Sequence, residues 1–134
     1  MPNELGYVIF YVADVRATVS FFANAFSMAA KFVTPENDYG ELDTGSTTLA
    51  FAAISLGQDN LATAGGLTPI DAELPPVGAS ITVVTSDVPG TVSAALAVGG
   101  QLYVDPVDKP WGQTVAYIRD PNGILIEVAT AVSA

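Results

Sequence analysis

One carboxylate interrupts the apolar run Ile124-Leu125-Ile126-Glu127-Val128-Ala129. An ionised group in such a strand is costly unless a hydrogen-bonding or charged partner meets it. Three roles fit Glu127: a carboxylate hydrogen-bonded to Tyr7 or Gln113, an anchor for a cationic ligand group, or a general base with a raised pKa. Glu41 supplies a second carboxylate if its side chain shares that face, and is solvated if strand alternation turns it away. Trp111, the sole tryptophan, lies between Pro110 and Gly112 at the mouth of a strand. It is either a partly buried rim residue or a stacking platform, since an indole offers a large contact area at low entropic cost. Tyr39 either packs against its own hairpin or contacts ligand.

Other chemistries lack their residues. With no histidine and no cysteine, Ser-His and Cys-His pairs cannot form and no thiolate is present to bind metal. A Ser-Lys pair has to draw on Lys31 or Lys109, neither in a suggestive context. Gly57 and Gly65-Gly66 do not lead into a helix as a phosphate-binding loop does.

The elements that must position these residues come from a duplication. Asp14-Val15-Arg16-Ala17-Thr18-Val19-Ser20 returns 73 residues later as Asp87-Val88-Pro89-Gly90-Thr91-Val92-Ser93, with five identities in seven. Each copy follows a strand-like run, Tyr7 to Val12 and Ile81 to Thr85, and each Asp stands where an N-cap opens a helix. Val15, Val19, Phe22 and Phe26 give the first helix one face to bury. Strand-like segments follow at 30–33, 40–43 and 47–53, and again at 101–104, 113–118 and 124–129. Aligning their ends pairs Asp43 with Asp120.

The expected fold is therefore α+β. Two tandem β-α-β-β-β units, at 1–54 and 78–134, form a curved mixed sheet around a cup with helices outside. The stretch 55–77, rich in Gly, Pro and Asp, reads as a connecting loop, either a linker or part of a binding rim. At 134 residues one domain is expected.

Fourteen acidic residues against four basic ones give a formal charge of −10, which opposes binding to nucleic acid or anionic lipid and favours a cation. No secretory-like start or membrane-length apolar run is visible, so a cytoplasmic location is expected.

Three segments carry a family resemblance: Tyr11-Val12-Ala13-Asp14-Val15, Tyr39-Gly40-Glu41-Leu42-Asp43-Thr44-Gly45, and Lys109-Pro110-Trp111-Gly112-Gln113 running on to Arg119-Asp120-Pro121-Asn122-Gly123. Together they resemble the vicinal oxygen chelate superfamily, which includes glyoxalase I, extradiol dioxygenases, fosfomycin-resistance enzymes and bleomycin-resistance proteins. In its metal-dependent members the first and last strands of each unit supply His, Glu or Gln ligands. The positions that the resemblance matches here are Tyr7, Ala50, Ile81 and Glu127, of which Glu127 alone is a good donor.

What remains is similarity to the metal-free, bleomycin-resistance-type members, in which two subunits hold a flat cationic drug between aromatic rings. It implies a homodimer without cofactor that sequesters a small molecule. The implied ligand-binding set is Tyr7, Tyr39, Glu41, Ala50, Ile81, Trp111, Gln113 and Glu127. The alternatives are a metal-free glyoxalase-like enzyme with Glu127 as acid/base, and a divergent member whose ligand is lost. A divalent transition-metal site needs three or four N, O or S donors. Elemental analysis of the purified protein, dialysed against chelator, is therefore expected to find no stoichiometric Ni, Zn, Fe or Mn.

Overall fold

A computed structural model describes residues 2–132; Met1, Ser133 and Ala134, the extremes of the two expected units, lie outside it. Two compact units are present, residues 2–23 with 27–69 and residues 24–26 with 70–132. The first contains β1 (Tyr7–Val12), most of α1 (Val15–Phe26), β2 (Ala29–Val33), β3 (Tyr39–Asp43), β4 (Thr48–Ala53) and α2 (Ile54–Asn60). The second contains β5 (Ile81–Val84), α3 (Val88–Ala97), β6 (Gln101–Asp108), β7 (Thr114–Arg119) and β8 (Leu125–Ala129).

Each unit carries its own four-stranded mixed sheet, in the orders β1-β4-β3-β2 and β5-β8-β7-β6. The pairs β1/β4 and β5/β8 are parallel and the rest antiparallel. This is the expected α+β fold of tandem β-α-β-β-β units.

Both repeated aspartates cap helices. Asp14 Oδ1 accepts from the Ala17 N–H at 3.1 Å and Asp87 Oδ1 from the Gly90 N–H at 3.0 Å, satisfying N–H groups that a helix start leaves unpaired. Asn37, in the β2–β3 turn, donates to Asp14 Oδ1 at 3.0 Å. That bond, followed by the Ala17 N–H, holds the Asp14 carboxyl below its ordinary pKa.

The first core forms where α1 lies on the sheet. Val15, Val19 and Phe22 are buried, and the Phe22 ring meets Phe51 at 5.0 Å between centroids. Gly40 lies tightly beneath the helix, since a Cβ there would stand 3.1 Å from both Val15 Cγ1 and Val19 Cγ2, which would have to give by a few tenths of an ångström. In the second unit Val88, Val92 and Ala95 bury the face of α3, with Ile118, Ile126 and Val128 fully buried in the sheet.

Two sequence expectations change. The connection 55–77 is not all loop, since it begins in α2. A glycine inside a seven-residue helix weakens its signal, yet Gly57 is where that helix seats against Tyr11 and Leu67. Asp43 and Asp120 are also not equivalent. Asp43 lies within the β2/β3 ladder, whereas Asp120 is buried and accepts from the Asn122 and Ile124 N–H groups. In the first unit Thr44 does that work, its Oγ1 accepting from Leu49 N–H at 2.8 Å.

The seat of α2 is testable. A Cβ on Gly57 would lie 2.5 Å from Leu67 Cδ2 and 2.6 Å from Tyr11 Cδ1. Gly57→Ala should therefore destabilise the chain by ~1–3 kcal/mol despite alanine's better helix propensity, read as a lowered midpoint in urea unfolding.

Candidate functional site

Strand register sorts the expected site residues by face, because residues paired across a sheet point the same way and neighbours along a strand point opposite ways. In the second sheet, Thr82, Glu127 and Tyr117 stand in one row across β5, β8 and β7. Thr82 Oγ1 donates to Glu127 Oε1 at 2.8 Å, and the Tyr117 hydroxyl donates to Oε2 at 2.8 Å. Each carboxylate oxygen thus receives one hydroxyl.

Two expectations fail here. Glu127 is met by Thr82 and Tyr117, whereas the Gln113 amide donates to the Thr130 carbonyl. Ile81 pairs with Ile126, on the buried face of the strand, and the residue beside Glu127 is Thr82. A one-residue displacement along a strand is enough to reverse the face.

Beside this row opens a pocket of about 460 Å³ lined by Val77, Gly78, Ala79, Ser80, Tyr103, Val104, Tyr117 and Leu125. No charged side chain lines it, and Tyr117 belongs both to its wall and to the Glu127 network. One wall, 77–80, comes from the end of the connecting segment and its junction with β5. Arg119 anchors the segment before that wall. Its guanidinium donates to the carbonyls of Asp71, Ala72 and Leu74 at 3.2, 3.3 and 2.7 Å, while Nε donates to the Gly123 carbonyl at 3.0 Å. Burial raises the pKa of the adjacent Asp120, against the opposing pull of hydrogen bonds from the Asn122 side chain and the backbone N–H of Ile124.

Trp111 lies in the β6–β7 turn, which closes with the Gly112 N–H donating to the Lys109 carbonyl at 2.9 Å. Its indole Nε1 donates to Gln113 Oε1 at 2.7 Å, and the Gln113 amide donates to the Thr130 carbonyl at 2.8 Å. The ring is thereby held by its polar edge while 59% exposed. Gln113 is a brace for Trp111.

In the first sheet Ile9, Ala50 and Glu41 form the corresponding row across β1, β4 and β3. Tyr7 lies on the same face one pair away, in register with Thr48. Glu41 is 8% exposed and accepts from the Tyr39 hydroxyl at 2.7 Å. Tyr39 in turn tilts against Phe32 at 5.9 Å, so it packs within its own hairpin. Ala50 is fully buried and presents a methyl group.

These residues do not fit the metal of the metal-dependent relatives. Of the positions that the resemblance matches, Tyr7, Ala50, Ile81 and Glu127, only Glu127 is a strong donor, and its oxygens already accept two hydroxyl hydrogen bonds. Among the described residues no three His, Cys, Asp or Glu are grouped to hold an ion, nor is any helix long and apolar enough to cross a membrane.

Sequence reasoning missed Thr82, Tyr117, Tyr103, Val104, Leu125 and Arg119. The usable signal was the alternation of Ile81-Thr82-Val83-Val84, in which Thr82 is the only hydroxyl in the strand.

The fold is that of a known group of proteins. The chain belongs to the Glyoxalase/Bleomycin resistance protein/Dioxygenase superfamily, whose family model matches residues 4–128. A glyoxalase-related enzyme from Fulvimarina pelagi is similar in structure, with a TM-score of 0.77 at 19% identity over 97% of this chain and 89% of that one. A glyoxalase/bleomycin resistance protein/dioxygenase family enzyme from Burkholderia phytofirmans PsJN gives 0.75 at 22% identity, over 98% and 100%. TioX from Micromonospora sp. ML1 gives 0.68 at 19%, over 96% and 98%. At these identities the structural likeness establishes the fold. No curated protein matches the chain.

The hydroxyl–carboxylate pairs set a titration. Tyr117 is held above its ordinary pKa by its hydrogen bond to Glu127 and then by burial. Tyr39 is raised by burial and then by its bond to Glu41. A raised folded-state pKa contributes stability that is present below the unfolded value and lost as pH climbs through the folded one. Ultraviolet titration should therefore show two of the five tyrosines ionising later than the rest, with stability falling above pH ~10. Replacing Tyr39 and Tyr117 by Phe should remove the late phase.

Proposed function

We propose that the chain is a small-molecule-binding protein of the bleomycin-resistance type, holding a flat, amphipathic, cationic molecule without turning it over. The pocket beside Glu127 carries this reading. Its apolar and aromatic wall suits the body of such a ligand, and Tyr103 and Tyr117 supply ring surface. Glu127 favours holding over catalysis, because both of its oxygens are already engaged by hydroxyls, which compete with a substrate proton for the carboxylate.

The net charge of −10 draws cations from a distance and raises their rate of capture. Trp111, braced by Gln113 and largely exposed, adds a second platform. We further propose that the protein works as a homodimer, which would cover the exposed Leu102, Tyr103, Val104 and Val107 of the edge strand β6.

Calorimetric titration with bleomycin and other flat cationic antibiotics tests the reading. Saturable binding that weakens at high salt is expected. Leu125→Trp, which fills the pocket without touching the Glu127 hydrogen bonds, should abolish it. Trp111→Ala should raise Kd roughly tenfold, the equivalent of ~1.4 kcal/mol. If flat cations produce no heat while small neutral or anionic compounds bind or are converted, the sequestration reading fails.

A further inference from the structure

The first sheet holds a second carboxylate whose surroundings differ from those of Glu127. Strand alternation places Tyr39 and Glu41 of β3 on one face with Tyr7 and Ile9 of β1. Strand β2 breaks alternation. A bulge between Ala30 and Phe32 leaves Lys31 without a register partner, while Phe32 stands opposite Glu41. A bulge re-aims side chains, and here both Lys31 and Phe32 reach the neighbourhood of Glu41. The Phe32 ring lies 5.9 Å from that of Tyr39, and Lys31 Nζ lies 3.7 Å from Glu41 Oε1.

The two oxygens of Glu41 are unequally served. Oε2 accepts the Tyr39 hydroxyl at 2.7 Å. At Oε1 the described residues supply the Lys31 ammonium, at a separation beyond hydrogen-bonding range. The Lys31 side chain is 58% exposed while that of Glu41 is 10% exposed, so a long mobile cation is loosely paired to a fixed, nearly buried anion. Such a pair is weak and readily exchanged for a cation that fits better. Exposed rings flank the place where the exchange occurs, Phe32 across from Glu41 and Tyr7 further along the face, and ring faces attract organic cations.

We infer that Glu41 Oε1 is an anchoring site for the ammonium group of an organic cation, with Lys31 as a built-in occupant that the ligand displaces. The class that fits is an aryl- or alkylammonium, its charge on Oε1 and its apolar portion against Phe32 and Tyr7. The site uses residues separate from those of the pocket beside Glu127, so it stands or falls independently of the function proposed above.

The test is a titration of the full chain, labelled in its Phe and Tyr rings, with phenethylamine at pH 7, followed by nuclear magnetic resonance. Phenethyl alcohol serves as the uncharged control. The amine should shift the Phe32 and Tyr39 ring signals saturably, and the alcohol should not. Lys31→Met, which vacates the site, should tighten binding roughly two- to fivefold. Glu41→Gln should abolish it, with the amide spectrum confirming that the variant folds. Because Lys31 is exposed, Lys31→Met decides the matter alone if Glu41→Gln does not fold. An unchanged or weakened affinity in Lys31→Met, undiminished binding in Glu41→Gln, or equal shifts with the alcohol would overturn the inference. So would shifts confined to Tyr103 and Tyr117, which would put the amine in the second unit's pocket and leave the pocket reading intact.

Discussion

A carboxylate set into an apolar sheet has to be met by donors, and the open faces of both sheets are arranged around that requirement. An unmet charge at Glu127 or Glu41 would cost more than one surface contact returns. Tyrosine hydroxyls answer in both cases, Tyr117 to Glu127 and Tyr39 to Glu41. Each tyrosine brings a ring as well as a proton donor. The same residue therefore satisfies the charge and builds the aromatic surface beside it.

The duplication makes the difference between the units informative. Across equivalent strands the first unit reads Ile9, Ala50, Glu41 and the second Thr82, Glu127, Tyr117. The carboxylate has moved from the third strand of one unit to the fourth strand of the other. In the second unit it lies between two hydroxyl-bearing strands and accepts from both. In the first unit its neighbour on β4 is a methyl group, and the help comes from its own strand and from a bulged lysine. Equal ancestry has thus yielded one closed network and one open-ended pair.

Part of the segment between the repeats, residues 71–74, is held by one buried cation. Arg119 has no carboxylate partner among the described residues, and backbone carbonyls at 71, 72, 74 and 123 solvate it instead. Solvation by carbonyls fixes the path of a chain that has no periodic pattern of its own, and that path leads into the pocket wall at 77–80. Gly123 permits this closeness, since a Cβ on it would lie 2.8 Å from Ala72 Cα.

The sequence by itself determined what depends on short-range pattern. Asp14 and Asp87 marked helix starts because capping is local, and Val15, Val19 and Phe22 marked a buried face because helical period is local. The repeat of these signals was enough for the α+β architecture, and the composition, with no histidine, ruled out a histidine-based metal site. Glu127 was legible as a group needing partners. Which partners it found was not legible, because Thr82 is 45 residues away in the chain and joins it through a parallel pairing that no local turn specifies. Choosing Ile81 over Thr82 is a one-residue error in sequence and a reversal of face in the sheet. The pocket, the grip of Arg119 on 71–74 and the placing of Lys31 at Glu41 by a bulge were likewise decided by the tertiary structure alone, since each is made by residues that meet only after strands have paired.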